Sequence, residues 1–414
     1  MDTTRQHANS ILGRPLRRLG NALVLILALG TAVTLRAQSD DEPPVATYHL
    51  LHSFHNSPDG CGPFAGPLVL DASGNLYGTT DTGGQFGKGT VFKVTPSGTE
   101  TVLHSFAGPP SDGQYPVYAS LTLDAAGNVY GTTPSGGNSS AGVVFRVTAT
   151  GTESILYNFR GGTDGYNPSG GLVRDSAGNL YGTTAYGGTF GGGVVFKLTP
   201  SGAESVLHSF KNSSTDGVYP ASNLMQDSSG NLYGTTPLGG AFFAGTVFRV
   251  TPSGSETLLH SFKGYPVDGA LGFNNGGLLR DTSGNLYGVT GNGGRTGDGV
   301  VFKLTTTLTE SVLFNFNGSN SGGNPYAKLA EDAAGNLYGT TLAGGSGRGC
   351  PFNGCGLLFE LSAGKEIVLH NFTISSTDGA IPYGSLLRDS LGNLYGVLES
   401  GGAYHCGAVF KYTP

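Results

Sequence analysis

The stretch Gly74-Asn75-Leu76-Tyr77-Gly78-Thr79-Thr80, "GNLYGTT", decides the fold. Its core, GN(L/V)YG, returns at 127, 178, 230, 284, 335 and 392, so one short strand is written seven times. The tyrosines Tyr77, Tyr130, Tyr181, Tyr233, Tyr287, Tyr338 and Tyr395 are 53, 51, 52, 54, 51 and 57 residues apart. A period near fifty is the range of propeller blades, whereas β-helix coils are much shorter.

Each unit carries four strand signals in fixed order. In the third unit these are 171–175 (strand A), 179–184 (B), 193–198 (C) and 204–210 (D). Four antiparallel strands make one blade. The A–B turn always reads Asp-x-x-Gly-Asn, and the C–D turn reads "TPSG" at 95–98, 199–202 and 251–254. Asp caps turn amides, and Gly accepts the positive φ of a tight turn. The seventh unit stops after strand C, 407–412, two residues before the C-terminal Pro414. Its strand D is found at the other end, as 48–54, YHLLHSF. A ring that borrows its last strand from the N-terminus closes on itself, whereas an open solenoid needs caps. The expected architecture is all-β: a seven-bladed β-propeller of four-stranded antiparallel blades over 48–414. Within it Leu76 faces one neighbouring blade and Tyr77 the other, because successive side chains alternate. Gly78 leaves room for close backbone approach. A phenylalanine in each strand C (Phe92, Phe145, Phe196, Phe248, Phe302, Phe359 and Phe410) fills the widening gap between blades.

The composition agrees. Only 12% of the 414 residues are charged and 72 are glycine, yet 22 Phe and 19 Tyr are spaced regularly, so low charge here does not mean disorder. Residues 1–37 stand apart. Arg5, Arg14, Arg17 and Arg18 precede the apolar run Ala22–Leu29, which continues to Val33. This is the n-region and h-region of a signal peptide, too short for a comfortable membrane span, with Ala37 as cleavage point. Leu35 at the −3 position is large for signal peptidase, so an uncleaved anchor, the one route to the membrane, is the alternative. Residues 38–47 read as a short linker. Taking away five arginines and one aspartate moves the formal charge from −6 to −10. Such a chain does not suit the phosphate backbone, so nucleic acid is excluded as a partner.

"GNLYGTT", the "GG" that follows it, "GTVFKVTPSG" and "TVLHSF" together resemble the GloVer-type (Gloeo/Verruco) tandem repeats of exported bacterial proteins. The resemblance covers 48–414 and implies a secreted repeat protein without implying an activity. The order of strands also resembles NHL-type propeller blades, which is an analogy of fold alone.

The D–A and B–C connections share one face and vary, as in "DTGGQFGKG" (81–89), "PLGGAFFAG" (237–245) and "LAGGSGRGCPFNGCG" (342–356). Variable loops on a rigid scaffold are where binding resides. The binding-face candidates are Asp81, Tyr186, Phe242, Phe243, Arg295, Asp298, Arg348, Glu399, Tyr404 and His405, with His55 beside them. Glu399 and His405 share a loop and form the one conceivable acid/base pair. No nucleophile–base–orienter spacing and no metal motif appears. The strand D histidines His52, His104, His208, His260 and His370 occupy one slot in different blades, filled by Tyr157 and Phe314 in the other two. They read as a semi-buried aromatic position. The aspartates of the A–B turns (Asp71, Asp124, Asp175, Asp227, Asp281, Asp332 and Asp389) read as structural. A second set, Asp59, Asp112, Asp164, Asp216, Asp268 and Asp378, precedes Gly in the D–A loops, with Gly322 in its place in the sixth copy. Asp-Gly is a turn pair; the sharper alternative is Ca²⁺ bound with nearby carbonyls. No other cofactor is implied.

Two functions remain. One is an exported non-catalytic propeller that binds an extracellular polymer or protein through the loop face. The alternative is an extracellular polysaccharide hydrolase or lyase with its site on that face. Tyr186, Phe242, Phe243 and Tyr404 offer stacking surfaces for sugars in a chain without Trp.

The four cysteines suit two disulfides in an exported chain. Cys350 and Cys355 bracket one short loop and close locally. Cys355 and Cys406 hold equivalent positions in adjacent blades, and facing sheets lie ~10 Å apart, beyond the ~7 Å Cα limit. Antiparallel pairing puts the end of the borrowed strand D, and with it Cys61, near Cys406. The expected bridges are Cys350–Cys355 and Cys61–Cys406, the alternative to the second being two free thiols.

Overall fold

A computed structural model describes residues 46–414 apart from 65, 118–119, 272–276 and 352. The signal-peptide assignment, and the linker as far as residue 45, lie outside the described residues; Thr47, at the end of the expected linker, already belongs to a strand. Seven four-stranded antiparallel sheets follow one another in a ring, each in the order A-B-C-D. Blade one is Val69–Leu70, Leu76–Thr80, Thr90–Val94 and Glu100–Ser105. Strand A is thus two residues long, shorter than the sequence pattern implies. Its start lies at the inner edge of the ring, where neighbouring blades meet. There the Gly171 N–H of blade three donates to Asn223 Oδ1 of blade four at 2.8 Å, and Lys328 of blade six to Ser385 Oγ of blade seven at 2.9 Å.

Blade seven is built from both chain ends. Leu387–Arg388, Leu394–Leu398 and Ala408–Thr413 supply strands A to C, and Thr47–Ser53 supplies strand D. The register runs from Thr47 opposite Thr413 to Ser53 opposite Ala408. Cys61 and Cys406 are bonded across this seam with Cα atoms 4.6 Å apart, and Cys350 and Cys355 are bonded within their loop. Both expected bridges are present.

The hydrophobic core falls into seven clusters, one at each interface between blades. Leu76 and Phe92 pack with Val397 and Val409 of blade seven, while Tyr77 and Val91 pack with Leu121 and Val129 of blade two. Strand B therefore buries both faces, as its alternation predicts. A Cβ on Gly78 would lie 2.5 Å from Phe92 and 2.9 Å from Leu68, so only glycine fits there. The phenylalanine that ends each strand D meets the strand C phenylalanine of the next blade edge to face, as Phe106 does Phe145 at 5.2 Å between centroids. Phe54, at the end of the borrowed strand, meets Phe92 of blade one at 4.9 Å in the same way.

One feature is absent from the sequence pattern. Strand D carries a bulge in every blade: Val91 faces His104 and Phe92 faces Val102, which leaves Leu103 extra. The bulged carbonyl turns toward the next blade. A Cβ on Gly151, in the C–D turn of blade two, would come within 2.8 Å of Leu103 O. That glycine, at φ 90°, lets the neighbouring turn tuck against the bulge.

Deleting residues 38–54 is expected to leave strand C of blade seven as an open edge, with aggregation on size-exclusion chromatography and faster limited proteolysis. Unchanged melting and solubility would speak against closure. Cys61→Ser should lower unfolding stability in denaturant titrations by at most ~6 kcal/mol, the loop-entropy ceiling for so long a span.

Candidate functional site

The A–B turns are structural in every blade, and tyrosine does more in them than fill space. Asp71 accepts from Ser73 N, Asn75 N and Asn75 Nδ2, and its Oδ2 also accepts from the Tyr77 hydroxyl at 3.0 Å. The Tyr–Asp bond recurs in the other six blades. Burial pushes the Asp71 carboxyl up, but these bonds together hold it below its ordinary range.

The opposite face is built by pairing of loops. Each D–A loop forms a short ladder with the B–C loop of the blade it enters, as Gly113–Gln114 does with Ser135–Gly136 and Gly217–Val218 with Leu238–Gly239. Single bridges such as Cys61 to Thr82 and Tyr166 to Tyr186 do the same elsewhere. The repeated double glycine is explained here: a Cβ on Gly136 would lie 2.7 Å from the Gly113 backbone. Before a proline at one point of this loop, the non-glycine residues Tyr115, Asn167, Tyr219, Asn324 and Ile381 have φ between 52° and 61°. Bulky side chains in the left-handed region are held there only by their surroundings.

One of these residues, Tyr219, belongs to an aromatic row. Tyr166 and Tyr186 stack with centroids 5.1 Å apart at 22°, and Tyr186 meets Tyr219 at 5.0 Å. Tyr186 came from the sequence; Tyr166 and Tyr219 did not, although each stands beside the Asn-Pro or Tyr-Pro signal of its loop. Phe242 and Phe243 project from the B–C loop of blade four, 54% and 57% exposed. Tyr404 lies over the His55 ring at 3.5 Å, and His55 Nδ1 is 3.0 Å from Asp59. Arg295 and Arg348 are exposed on separate loops, and Asp298 is half-buried in the blade-five loop. His405 is exposed and makes no hydrogen bond or ion pair with Glu399. The acid/base pair read from the sequence is not assembled.

Glu399 interacts with Asp81 instead. The two follow strand B in blades seven and one, beside the Cys61–Cys406 bridge. Burial, then the Asp81 charge, pushes the Glu399 carboxyl up to about 7, and burial raises Asp81 as well. Lys328 is a further residue that sequence reading missed. It breaks a column held elsewhere by Pro67, Ser120, Gly171, Asn223, Gly277 and Ser385, and burial pushes its ammonium down.

The strand D histidines and the D–A aspartates, separate in the sequence, meet in each blade. His104 Nε2 lies 3.0 Å from Asp112, and His52, His208, His260 and His370 face Asp59, Asp216, Asp268 and Asp378 in the same way. Where Tyr157 replaces histidine, its hydroxyl donates to Asp164 at 3.1 Å. The sixth copy needs a correction. Gly322 aligns with the glycine of the pair, and Ser321 takes the aspartate position, accepting from Asn317 N at 3.1 Å as Asp216 accepts from Lys211 N. The third partner is the glutamate that opens strand D of the next blade, carried there by the bulge. His104, Asp112 and Glu153 bring their ligand atoms within 4.8 Å of one another, as do His208, Asp216, Glu256 and His260, Asp268, Glu310. These sets can hold a cation, and one imidazole with two carboxylates suits a transition-metal dication better than Ca²⁺, which takes six to eight oxygens. The Asp112 oxygens face backbone N–H groups, Ala107 at 2.8 Å and Gly113 at 2.6 Å, rather than the carbonyls a Ca²⁺ site would use.

The family model described as the Gloeobacter/Verrucomicrobia repeat matches residues 42–243 and 222–414. No curated protein matches the chain. Among solved structures, a streptogramin B lyase is similar at a TM-score of 0.56 and 15% identity, over 89% of this chain and 97% of that one. The extracellular domain of a putative hybrid two-component system from B. thetaiotaomicron gives 0.55 and 15%, over 89% of this chain and 41% of that one. At such identity the likeness shows the fold alone.

Glu366 is the corresponding glutamate of blade six; the preceding blade carries Phe314 and Ser321 in the histidine and aspartate positions, and burial alone pushes the Glu366 carboxyl up to about 7. A raised carboxyl contributes stability that is present at low pH and lost as pH rises from the ordinary glutamate range through about 7. Glu366→Gln is therefore expected to melt about 2–4 °C above the parent at pH 8 and level with it at pH 4. Equal melting at both values would remove the buried-carboxylate assignment.

Proposed function

The chain belongs to the Gloeobacter/Verrucomicrobia repeat family, and from that premise we propose an exported, non-catalytic propeller that binds an extracellular polymer through its loop face. The row Tyr166–Tyr186–Tyr219 carries the reading. Its rings stand on paired loops, Tyr166 bridged to Tyr186 beside the double glycine, and Tyr219 held at φ 61°, so little side-chain freedom is lost when a ligand stacks on them. Phe190, Phe242 and Phe243, each more than half exposed, extend the apolar contact over blades three and four. Two disulfides fit an oxidising location, secreted, periplasmic or at the cell surface. The extracellular-domain likeness agrees with export.

One observation favours the second reading, a polysaccharide hydrolase or lyase. Asp81 and Glu399 each follow strand B, in adjacent blades one and seven, and burial with the Asp81 charge pushes Glu399 up to about 7. A general acid needs such a raised carboxyl, although burial raises five strand D glutamates as far.

Retention on immobilised polysaccharides, with assay of new reducing ends, separates the two. Binding without new ends is expected. Tyr186→Ala should weaken it by the ~0.5–1.5 kcal/mol of one aromatic contact, and Phe242→Ala with Phe243→Ala by a similar step. New reducing ends abolished by Glu399→Gln would establish the enzyme instead, and retention unchanged by all three alanines would move the site off this face.

A further inference from the structure

On the turn face, away from the loops, one interface position changes its charge from blade to blade. In each blade a strand C residue lies opposite the repeat tyrosine, and a strand A residue of the next blade approaches the same ring. Going round the ring, these pairs are Lys93/Leu123, Arg146/Arg174, Lys197/Gln226, Arg249/Arg280, Lys303/Glu331, Glu360/Arg388 and Lys411/Leu70. Two interfaces therefore set arginine against arginine where two others set opposite charges together.

Between blades two and three, Arg146 and Arg174 line a cavity of about 280 Å³ with Tyr130, Gly178, Thr199 and Gly202. Arg146 pairs in register with Tyr130, and the Arg174 guanidinium carbon lies 5.8 Å from the Tyr130 ring centroid. The Arg174 fork lies along the A–B turn, where a Cβ on Gly178 would come within 3.2 Å of Nη2; this glycine, at φ 84°, is the turn glycine of every blade. Arg146 Nη2 donates to Ser154 Oγ at 3.4 Å, while its Nε is buried without a partner. Neither arginine has a carboxylate within 4.0 Å; the ion pairs among the described residues are all between histidine and aspartate. The second copy repeats the pattern: Arg249 Nη2 donates to Thr257 at 3.3 Å, Arg249 Nε is buried and unpartnered, and Arg249 and Arg280 both act on Tyr233.

Charge accounting sharpens the contrast. Each tyrosine carries its turn aspartate, Asp124 and Asp227 at the arginine pairs, Asp281 and Asp332 at the mixed pairs. The arginine pairs thus keep one positive charge in excess, and the mixed pairs one negative. Two guanidiniums converging on a cavity, one edge of each arginine pair buried and unbonded, form a receptor for an anion with several oxygens.

We propose that this cavity, and the matching arginine pair Arg249 and Arg280, bind one oxyanion group each: a carboxylate, sulfate or phosphate. The volume admits a single such group with a few attached atoms, up to an acidic monosaccharide. The site is independent of the loop-face reading, and either can fail without the other.

Calorimetric titration of the full chain with sodium sulfate, sodium phosphate and sodium glucuronate, each at constant ionic strength against chloride, tests this. Saturable binding of two equivalents is expected for at least one of the three, and which one saturates tells an inorganic or ester oxyanion from a sugar acid. Arg174→Gln should leave one equivalent, and Arg174→Gln with Arg280→Gln none. Arg388→Gln, at a mixed pair, should retain both. Arg174→Lys keeps the charge without the fork, and should weaken its site roughly tenfold with circular dichroism unchanged. No saturation beyond chloride, or binding that survives the double glutamine variant, would overturn the proposal.

Discussion

The pairing of Thr47–Ser53 with Ala408–Thr413 is the constraint on which the rest depends. No blade of this protein has a core of its own. The apolar side chains are distributed among seven clusters that each need two blades, so every blade is stable only while both neighbours are in place. In a linear array the first and last faces would stay open to water. Borrowing strand D from the N-terminus makes the last blade a composite of both ends, and Phe54 then delivers the first ring contact of blade one. The bridge between Cys61 and Cys406 fastens this joint, at a sequence separation of 345.

Closure also explains why so much of the repeat is invariant. A ring of seven blades leaves one spacing between neighbours, and three small devices produce it. Glycine in strand B admits the strand C phenylalanine. The strand D bulge turns a carbonyl outward, and the glycine of the next C–D turn receives it. The glutamate two residues beyond that glycine is carried against the histidine and aspartate of the preceding blade. Its burial is a consequence of packing, and its raised carboxyl follows from burial first and from the neighbouring aspartate second.

The fold was legible because periodicity, turn chemistry and the displaced strand D all lie along the chain. So was the pairing of the cysteines, since strand register fixes where Cys61 ends up. What sequence reading missed are relations between blades. Glu153 meets His104 and Asp112 only through a bulge, which adds one residue to strand D without changing its composition. Ser321 is not legible because loop length alone puts Gly322 in the aspartate position; the contact of Gly322 with Thr341 and the bond from Asn317 N to Ser321 place both residues. The aromatic row joins residues from two D–A loops with one from a B–C loop, three segments that sequence inspection treats apart.

In a closed repeat, seven equivalent residues are seldom a site, because selection for packing acts on all seven alike. Information about ligands resides where one column departs from the others while the backbone stays the same. On the loop face the departures are in size and exposure, which gives tyrosines and phenylalanines to blades two to four. On the turn face the departure is in charge alone. Leucine, glutamine, glutamate and arginine share the strand A position on one backbone, so packing does not select among them. Electrostatics does, since a second guanidinium beside Tyr130 raises the energy of the folded ring unless something negative offsets it. At the Lys303/Glu331 and Glu360/Arg388 interfaces the protein supplies that charge from its own chain. At Arg146/Arg174 and Arg249/Arg280 it does not, and the Nε of Arg146 and of Arg249 stays buried without a partner.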